Sequence, residues 1–299
     1  MLCLHKVSDE KDHFWEPIRP ESFELLVQYL VLHYDIITVS DIDRPSDTGR
    51  PRVILSFDDG YYDFYTNVLP VLRRYSIPAN HNIVSAIADG TQQMIWTERL
   101  NFLFNYFLEH RIQARLEVGQ SEISLQGAGT LDQSYIICLR ELFKLDPAAR
   151  IGVLDGWFRR FSADMPVPRM MGWEEIRVCA RHGVEIGSHT MTHPILTSVA
   201  DPQTLVAELQ GSKAVLEENL GIPINILAPP NGIYDARVLG MAARVGYKYL
   251  LGIGESSGRE RQVDGVTVLS RLNMISEPYS HMVLRIEEVV HQLKRLIRG

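Results

Sequence analysis

Two short runs hold the residues most able to do chemistry. The first is Ser56-Phe57-Asp58-Asp59-Gly60, where two adjacent carboxylates end an apolar, β-rich run. Placing both near a core is unfavourable unless something uses their charge. Neighbouring strand residues point to opposite faces, so Asp58 and Asp59 aim differently unless the chain turns, which Gly60 permits. One carboxylate can then hold a metal while the other handles protons; the alternative is an ordinary Asp-Asp-Gly turn. The second run is His189-Thr190-Met191-Thr192-His193. Histidines at i and i+4 share one face of a helical turn, with Cβ atoms about 6 Å apart. That suits two imidazoles at about 2.0–2.1 Å from one zinc ion. Thr190 stands where the zinc-protease HExxH pattern needs glutamate, so that pattern is absent. The alternative here is a pair of surface histidines flanking a loop. Together, Asp59, His189 and His193 make a two-imidazole, one-carboxylate set with a fourth tetrahedral position for water, the open composition of hydrolytic metal sites. Asp58 is then the free carboxylate beside it, placed as general base.

Both runs follow predicted strands, and catalytic groups of βα barrels gather at C-terminal strand ends however far apart they lie in sequence. Short apolar runs alternate with amphipathic stretches throughout, the α/β pattern. Strands are predicted at Leu2 to Val7, Asp35 to Val39, Arg52 to Phe57, Ala79 to Val84, Val184 to Ser188, Ile224 to Leu227, Lys248 to Gly252 and Val266 to Leu272. Helices are predicted from Pro20 to about Tyr34, over Phe64 to Tyr75, from Asp201-Pro202 to Gly221, over Asp235 to Val245 and from Tyr279 to Ile297. In the third of these Asp201 is the cap, Pro202 takes the first helical position and Gly221 is the stop. Leu205, Leu209, Leu216 and Leu220 recur along it at near-helical spacing.

From about Thr91 to Pro168 the rhythm breaks. The stretch reads as a helix at Trp96 to Arg111, a hairpin at Arg115 to Leu125 turning at Gly119-Gln120, and more helix from Leu131 to Phe161. It is taken as a mainly helical insertion, at about 91–168, in a single catalytic domain spanning 1–299. Its aromatics Trp96, Phe102, Phe104, Tyr106 and Phe107 are assigned to a core, with substrate contact as the lesser reading.

Composition narrows the class. With 45% hydrophobic and 22% charged residues over 299 positions, the chain has the profile of a globular protein rather than a solvated coil. A net charge of −7 gives no footprint for a nucleic-acid backbone, so no nucleic-acid partner is expected. The basic run Lys294 to Arg298 is read as complementing the dipole of the last helix. Cys3, Cys138 and Cys179 are scattered without CxxC spacing, which suits a reducing compartment. No run is long and apolar enough for a spanning helix. No basic region followed by a long apolar segment opens the chain. A cytoplasmic location is therefore expected, with membrane association as the variant; a chain starting at a processing site would read the same way.

The sequence resembles the polysaccharide deacetylases, the NodB-type carbohydrate esterases of family 4. The likeness runs in order through Leu4-His5-Lys6-Val7, the Ser56 to Gly60 run, Trp173-Glu174-Glu175-Ile176 and Gly187 to Pro194. It continues through the Glu208 to Gly221 helix, Leu227-Ala228-Pro229-Pro230-Asn231-Gly232, Gly246-Tyr247 and Ser270-Arg271-Leu272. Ile95-Trp96-Thr97-Glu98-Arg99-Leu100 is similar to longer members from surface-polysaccharide pathways. The resemblance implies a distorted (β/α) barrel of about seven strands and removal of N-acetyl groups from amino sugars. It implies Asp58 as base and Asp59, His189 and His193 as ligands of one divalent metal. Zinc is the default, and iron, cobalt, nickel or manganese can occupy such a site. Pro229 to Gly232, with Pro230 and Asn231 at its centre, would line the acetyl site, the Asn231 N–H helping to hold the oxyanion.

Two departures from the family pattern stand out. Many members carry an arginine just before the paired prolines, tethering the base; here that position is Ala228. Arg271, at the end of a predicted strand, is the candidate substitute, or else a surface arginine. The Leu-x-His motif that supplies the general acid near the C-terminus is missing, and the neighbours of His281 do not fit it. His5, ending the first predicted strand, is the candidate for a catalytic or site-shaping role, with simple packing as the alternative; His81 is a weaker candidate. His13, His33, His110, His182 and His291 have no companions at ligand spacing. Tyr61, Tyr62 and Trp173 are read as packing, with the floor of a sugar site as the alternative. The leading expectation is thus an N-deacetylase acting on an amino sugar of a surface polysaccharide, or on a nucleotide-linked or lipid-linked precursor. The alternatives are a glycan O-deacetylase and an inactive barrel that binds glycan or an assembly partner. Oligomeric state is not readable from the sequence.

Overall fold

A computed structural model describes residues 1–46, 48–125, 130–163, 168–254 and 258–287. Its centre is a ring of seven parallel strands. In ring order these are β1 (Leu2–Leu4), β2 (Leu55–Phe57), β3 (Ala79–Ile83), β4 (Val184–Ser188), β5 (Ile226–Leu227), β6 (Tyr249–Ile253) and β7 (Val266–Asn273). β1 pairs with both β2 and β7, Leu2 lying opposite Leu55 and Leu272, which closes the barrel. The closure is uneven: β3 and β4 pair along their full length, whereas β4 meets β5 only at Ser188 and Leu227. This is the distorted (β/α) barrel that the family resemblance implies.

The strands form here because both their faces are covered, as in parallel sheets generally. β1, β2 and β3 are buried at every residue. Outside the ring, Phe57 meets Phe23 and Phe64 edge-to-face with centroids at 5.9 and 4.9 Å. Phe23, Leu26, Val27 and Leu30 are the buried stripe of the helix Pro20–His33. Each such side chain contributes about 1.5–3 kcal/mol by leaving water. Inside the ring the packing is polar beneath the mouth. Ser56 Oγ donates to Asn80 Oδ1 at 2.7 Å, and Asn82 shares Asn80's face because strand residues alternate. His81, between them, turns outward onto Phe64, with centroids 4.1 Å apart.

Several predicted elements differ in detail. The run Arg52 to Phe57 is two strands, because the Ile54 carbonyl turns to accept from Leu2 N–H at 2.9 Å; Arg52–Val53 pairs with Asp35–Ile36 outside the ring. The antiparallel strand Gly258–Val263 on the edge of β7 has no counterpart in the sequence reading. The helix predicted at Leu131 to Phe161 is two, Thr130–Lys144 and Pro147–Phe161, split where Asp146 caps the second through Ala148 and Ala149 N–H. Two π-turns, Phe64–Val68 and Ala207–Gly211, interrupt predicted helices, whereas Asp201 caps and Gly221 ends the second of these as expected. The last helix is described over 279–287; its predicted continuation, with His291 and Lys294 to Arg298, lies outside the described residues. Among the described residues no helix is long and apolar enough to cross a membrane.

The hairpin Arg115–Val118 and Ser121–Ser124 turns at Gly119-Gln120 as predicted. With the helices Trp96–Glu109, Thr130–Lys144 and Pro147–Phe161 it encloses its own apolar cluster, in which Trp96, Phe104 and Phe107 are buried and Phe102 and Tyr106 pack at the margin. Glu98 ties this cluster to the barrel, accepting from Lys6 Nζ at 2.8 Å and from the Tyr61 hydroxyl at 2.9 Å.

Candidate active site

The turn after β2 separates the paired carboxylates. Asp58 N–H still bonds to the Leu4 carbonyl at 3.1 Å, as a strand residue would. Asp59 and Gly60 then take φ of +76° and +92°, which reverses the chain and swings Asp59 towards the mouth. A non-glycine residue in that region is strained and is held there by its surroundings. Both carboxylates are 2% exposed, so this is no ordinary surface turn.

The loop after β4 delivers the histidines by a different route from the helical turn expected. Residues 189–193 are not helical; Thr190 and His193 have φ of +69° and +64°. Glu208 holds this loop, accepting from Met191 N–H, Thr192 N–H and the Thr192 hydroxyl at 3.0, 2.9 and 2.6 Å. Glu208 sits in the π-turn Ala207–Gly211, an irregularity frequent at functional sites. Gly211 closes this turn against the tip of Met191, whose Cε would stand 2.7 Å from a Cβ at that position. Both imidazoles are buried, at 1% and 4% exposure, which overturns the surface alternative.

The two turns bring Asp59, His189 and His193 together. Asp59 Oδ1 lies 3.3 Å from His189 Nε2 and 3.4 Å from His193 Nε2. Donors at about 2.1 Å from one ion, at tetrahedral angles, stand about 3.4 Å apart. Asp59 Oδ1 is buried and, among the described residues, makes no hydrogen bond. The donor set therefore fits a divalent ion. His189 Nδ1 lies 2.7 Å from the Ala228 carbonyl, an acceptor for its N–H that leaves Nε2 facing Asp59; burial lowers the His189 pKa, but the Asp58 and Asp59 carboxylates outweigh this and raise it until an ion takes the proton's place. Burial pushes His193 down to about 3, keeping it neutral as a ligand must be.

Asp58 has a different environment. Its Oδ1 accepts from Arg271 Nη1 and from Asn82 Nδ2, each at 2.7 Å, while Oδ2 meets, among the described residues, only the weak Cys3 thiol donor at 3.6 Å. Arg271 is fully buried, so the surface reading of this arginine is wrong: it comes from β7 to the position that Ala228 leaves without a cation. It also donates to Ser56 Oγ at 3.1 Å. Burial alone would raise the Asp58 pKa, but the charges of Arg271 and His189 outweigh it and hold the carboxyl well below the usual range. Asn82 was not singled out in the sequence, although polar residues alternating in Ala79-Asn80-His81-Asn82-Ile83 signal a polar inner face. Gly187 makes room for it: a Cβ there would lie 2.2 Å from Asn82 Oδ1.

A cleft of about 500 Å³ opens over these groups. Asp58, Asp59, His189, His193, His5 and Asn231 line it from the barrel, and Tyr135, Leu139 and Phe143 close one side from the helix Thr130–Lys144. Asn231 has φ of +58° and a buried Oδ1 with no partner among the described residues; Pro230, in the same turn, is buried and does not line the cleft. His5 lies with Cys3 and Asp58 in a cluster whose donor atoms are all within 4.8 Å, and its ring abuts Trp15 edge-on. His81 lies outside the cleft, pushed down to about 4 by burial. His281 and His182 are exposed, His13 meets Asp132, and His33 and His110 pack on Tyr29 and Tyr106. Tyr61, Tyr62 and Trp173 do not line the cleft; they pack with Glu98, Arg169 and Asp89.

Fold and site together define a closed βα barrel with an open two-histidine, one-aspartate centre at its mouth. The chain belongs to the polysaccharide deacetylase family, whose sequence profile matches residues 46–100 and 146–250, more than half of the chain. Chitin deacetylase 1 of Cryptococcus neoformans var. grubii serotype A (strain H99) is 39% identical over 64 residues, 21% of this chain and 13% of that protein. The poly-β-1,6-N-acetyl-D-glucosamine N-deacetylase of Escherichia coli (strain K12) is 31% identical over 84 residues, 26% of this chain and 12% of that protein. The matched stretches thus span well under two thirds of either relative. The Streptococcus pyogenes deacetylase PplD, solved in complex with acetate, shares the fold, with a TM-score of 0.61 over 95% of each chain at 17% identity.

Proposed function

We propose that this chain is a metal-dependent hydrolase that removes N-acetyl groups from an amino sugar in a surface polysaccharide or its precursor. The observation that carries the reading is the asymmetry of the carboxylate pair. Asp59 Oδ1 stands at ligand spacing from two imidazoles, while Asp58 has one oxygen tied and one open beside them. Family membership supports it, as do two relatives named for deacetylating chitin and poly-β-1,6-N-acetyl-D-glucosamine. The chain is read as one catalytic domain with an insertion at about 91–168, a division supported by the separate apolar cluster of that stretch.

When bound by Asp59, His189 and His193, a divalent ion supplies Lewis acidity to the attacking water and the acetyl carbonyl. Arg271 and Asn82 occupy Asp58 Oδ1 and leave Oδ2 to take the proton of that water. The Asn231 backbone N–H donates to the oxygen on which charge develops. Asp58, having taken that proton, can pass it to the departing amine by way of His5, a ring kept neutral by burial against the pull of the Asp59 and Asp58 carboxylates. The test is acetate release from N-acetylglucosamine oligomers and from an O-acetylated glycan, with Asp58→Asn as control. Release from the N-acetylated substrate, lost in the variant, is expected. No release from folded, metal-loaded protein would overturn the reading, and release from the O-acetylated glycan alone would move it to the O-deacetylase.

A further inference from the structure

One wall of the cleft is built by a stretch that the family profile leaves unmatched. That profile skips residues 101–145, which supply Asn101, Tyr135, Leu139 and Phe143 to the cleft. Tyr135, Leu139 and Phe143 stand at i, i+4 and i+8 of the helix Thr130–Lys144, which puts them on one face. Their stripe runs about 12 Å along the helix, longer than one pyranose ring. On the barrel rim of the same cleft stand Ile233, after the Asn231 turn, and Ile253, at the end of β6, exposed at 38% and 37%. Ile136, exposed at 41%, is one turn from Leu139 and carries the apolar surface out towards solvent. Large apolar side chains gathered around one cleft, rather than scattered singly, mark a binding surface.

The polar lining is concentrated at the reacting centre, in Asp58, Asp59, the histidines and Asn231. Beyond these, among the described residues, amide and hydroxyl groups come from Thr97, Asn101, Asn273 and Tyr135, and Trp15 adds one indole N–H. The Tyr135 hydroxyl already donates to Asn101 Oδ1. Several linked sugars carry far more hydroxyls than these groups can pair, and each one desolvated without a partner opposes binding. Charge argues against another form of the substrate. Among the described residues no lysine or arginine lines the cleft, so the diphosphate of a sugar nucleotide would lie near Asp58 and Asp59 with no ammonium or guanidinium on the lining to receive it.

We propose that the cleft takes a glycolipid: an N-acetylated amino sugar at the Asp58–Asp59 centre, with an aliphatic chain attached to it that lies against Tyr135, Leu139 and Phe143 on one side and Ile233 and Ile253 on the rim. Straight acyl or alkyl chains and branched isoprenoid chains share that chemistry. Each methylene removed from water multiplies affinity by up to about fourfold, so a chain of modest length has a large effect on binding. The assignment deepens the proposed function and rests on it for the reacting sugar; the apolar wall does not depend on it.

The test compares acetate release by metal-loaded wild-type protein from five substrates. Three are the methyl, decyl and geranyl β-glycosides of N-acetylglucosamine, used below their micelle concentrations; the others are the N-acetylglucosamine tetramer and UDP-N-acetylglucosamine. The methyl and decyl glycosides are also titrated calorimetrically into metal-loaded Asp58→Asn. The expected result is a KM lower by about tenfold or more for the decyl or geranyl glycoside than for the methyl glycoside, with kcat little changed. The tetramer and the sugar nucleotide should both have a lower kcat/KM than the better of the two chain-bearing glycosides. Preference for decyl identifies a straight chain, and preference for geranyl an isoprenoid. Leu139→Gln keeps helix propensity and Ile253→Thr keeps the β-branch. Each should cut the ratio of kcat/KM between chain-bearing and methyl glycosides by about threefold or more. Both substrates are read on one preparation, so unfolded protein cancels from that ratio. Equal KM values with and without the chain, a ratio untouched by both variants, or preference for the tetramer or the sugar nucleotide would overturn the glycolipid assignment and leave the deacetylase reading standing. No acetate from any substrate, with decyl still binding Asp58→Asn more tightly than methyl, would sink the deacetylase reading and leave the apolar site standing. Neither release nor chain-dependent binding would overturn both.

Discussion

Asp58 and Asp59 are identical residues joined by one peptide bond, yet the two sides of the barrel mouth treat them differently. On the Asp58 side the protein supplies the counter-charge, from Arg271 on β7, and fixes the carboxylate with Asn82 on β3. On the Asp59 side two imidazoles stand at 3.3 and 3.4 Å from an oxygen that, among the described residues, makes no hydrogen bond, so its counter-charge is either a proton on His189 or a bound ion. The backbone makes the difference: Asp58 ends a strand, whereas Asp59 is turned out by a left-handed φ. A matched carboxylate suits a group that must stay ionised and in place, and an unmatched one suits a ligand.

Asp58→Asn should separate the sides most sharply. It removes the base without touching the ligand set, so metal content should persist while kcat/KM falls about 10²–10⁴-fold. Activity within tenfold of wild type would break the division of roles. Arg271→Met comes next, because it leaves a buried carboxylate without its partner. A loss of about 3–5 kcal/mol in urea unfolding is expected. Combining it with Asp58→Asn should cost less than the sum, and additive losses would mean that the pair does not interact. Asn82→Ala should lower stability by about 1–3 kcal/mol and reduce kcat more than it raises KM. Unchanged kcat would make Asn82 mere packing.

The smallest effect concerns a half-buried carboxylate, Asp63, that has neither guanidinium nor ligand geometry. Asp63 Oδ2 accepts from Val7 N–H at 2.9 Å, and Oδ1 is buried without a partner among the described residues. Burial pushes its carboxyl up to about 6. The folded protein therefore holds this proton longer than the unfolded chain, whose Asp titrates near about 3.9. Stability falls as pH rises through that window. Asp63→Asn should thus stabilise the protein at pH 7.5, by about 1–3 kcal/mol, and do little at pH 4. An equal effect at both values would mean that Asp63 is not raised, and that a carboxylate here needs no matching charge.

Much of this was legible in the chain. The alternation of apolar runs and amphipathic stretches predicted the α/β class and the family resemblance implied the barrel, while Asp201, Pro202 and Gly221 marked a helix at both ends because their local chemistry is decisive. The grouping of Asp59, His189 and His193 was legible too, since each follows a strand. How the histidines meet was not. Positive φ at Thr190 and His193 depends on Glu208 reaching the loop from a π-turn, and a π-turn leaves no periodic signal. Arg271 was ambiguous for a similar reason: an arginine at a strand end is usually exposed, and only ring closure between β1 and β7 brings it beneath the mouth. The strand Gly258–Val263 escaped notice because an edge strand needs no continuous apolar run.

Metal content tests the central claim most directly. Purified wild type, Asp59→Ala and His193→Ala, each verified as folded, would be compared by elemental analysis after equilibration with zinc or cobalt. The account predicts about one ion per wild-type chain and none in either variant. Folded wild-type protein that takes up neither metal, or variants that hold it as well as wild type does, would contradict it.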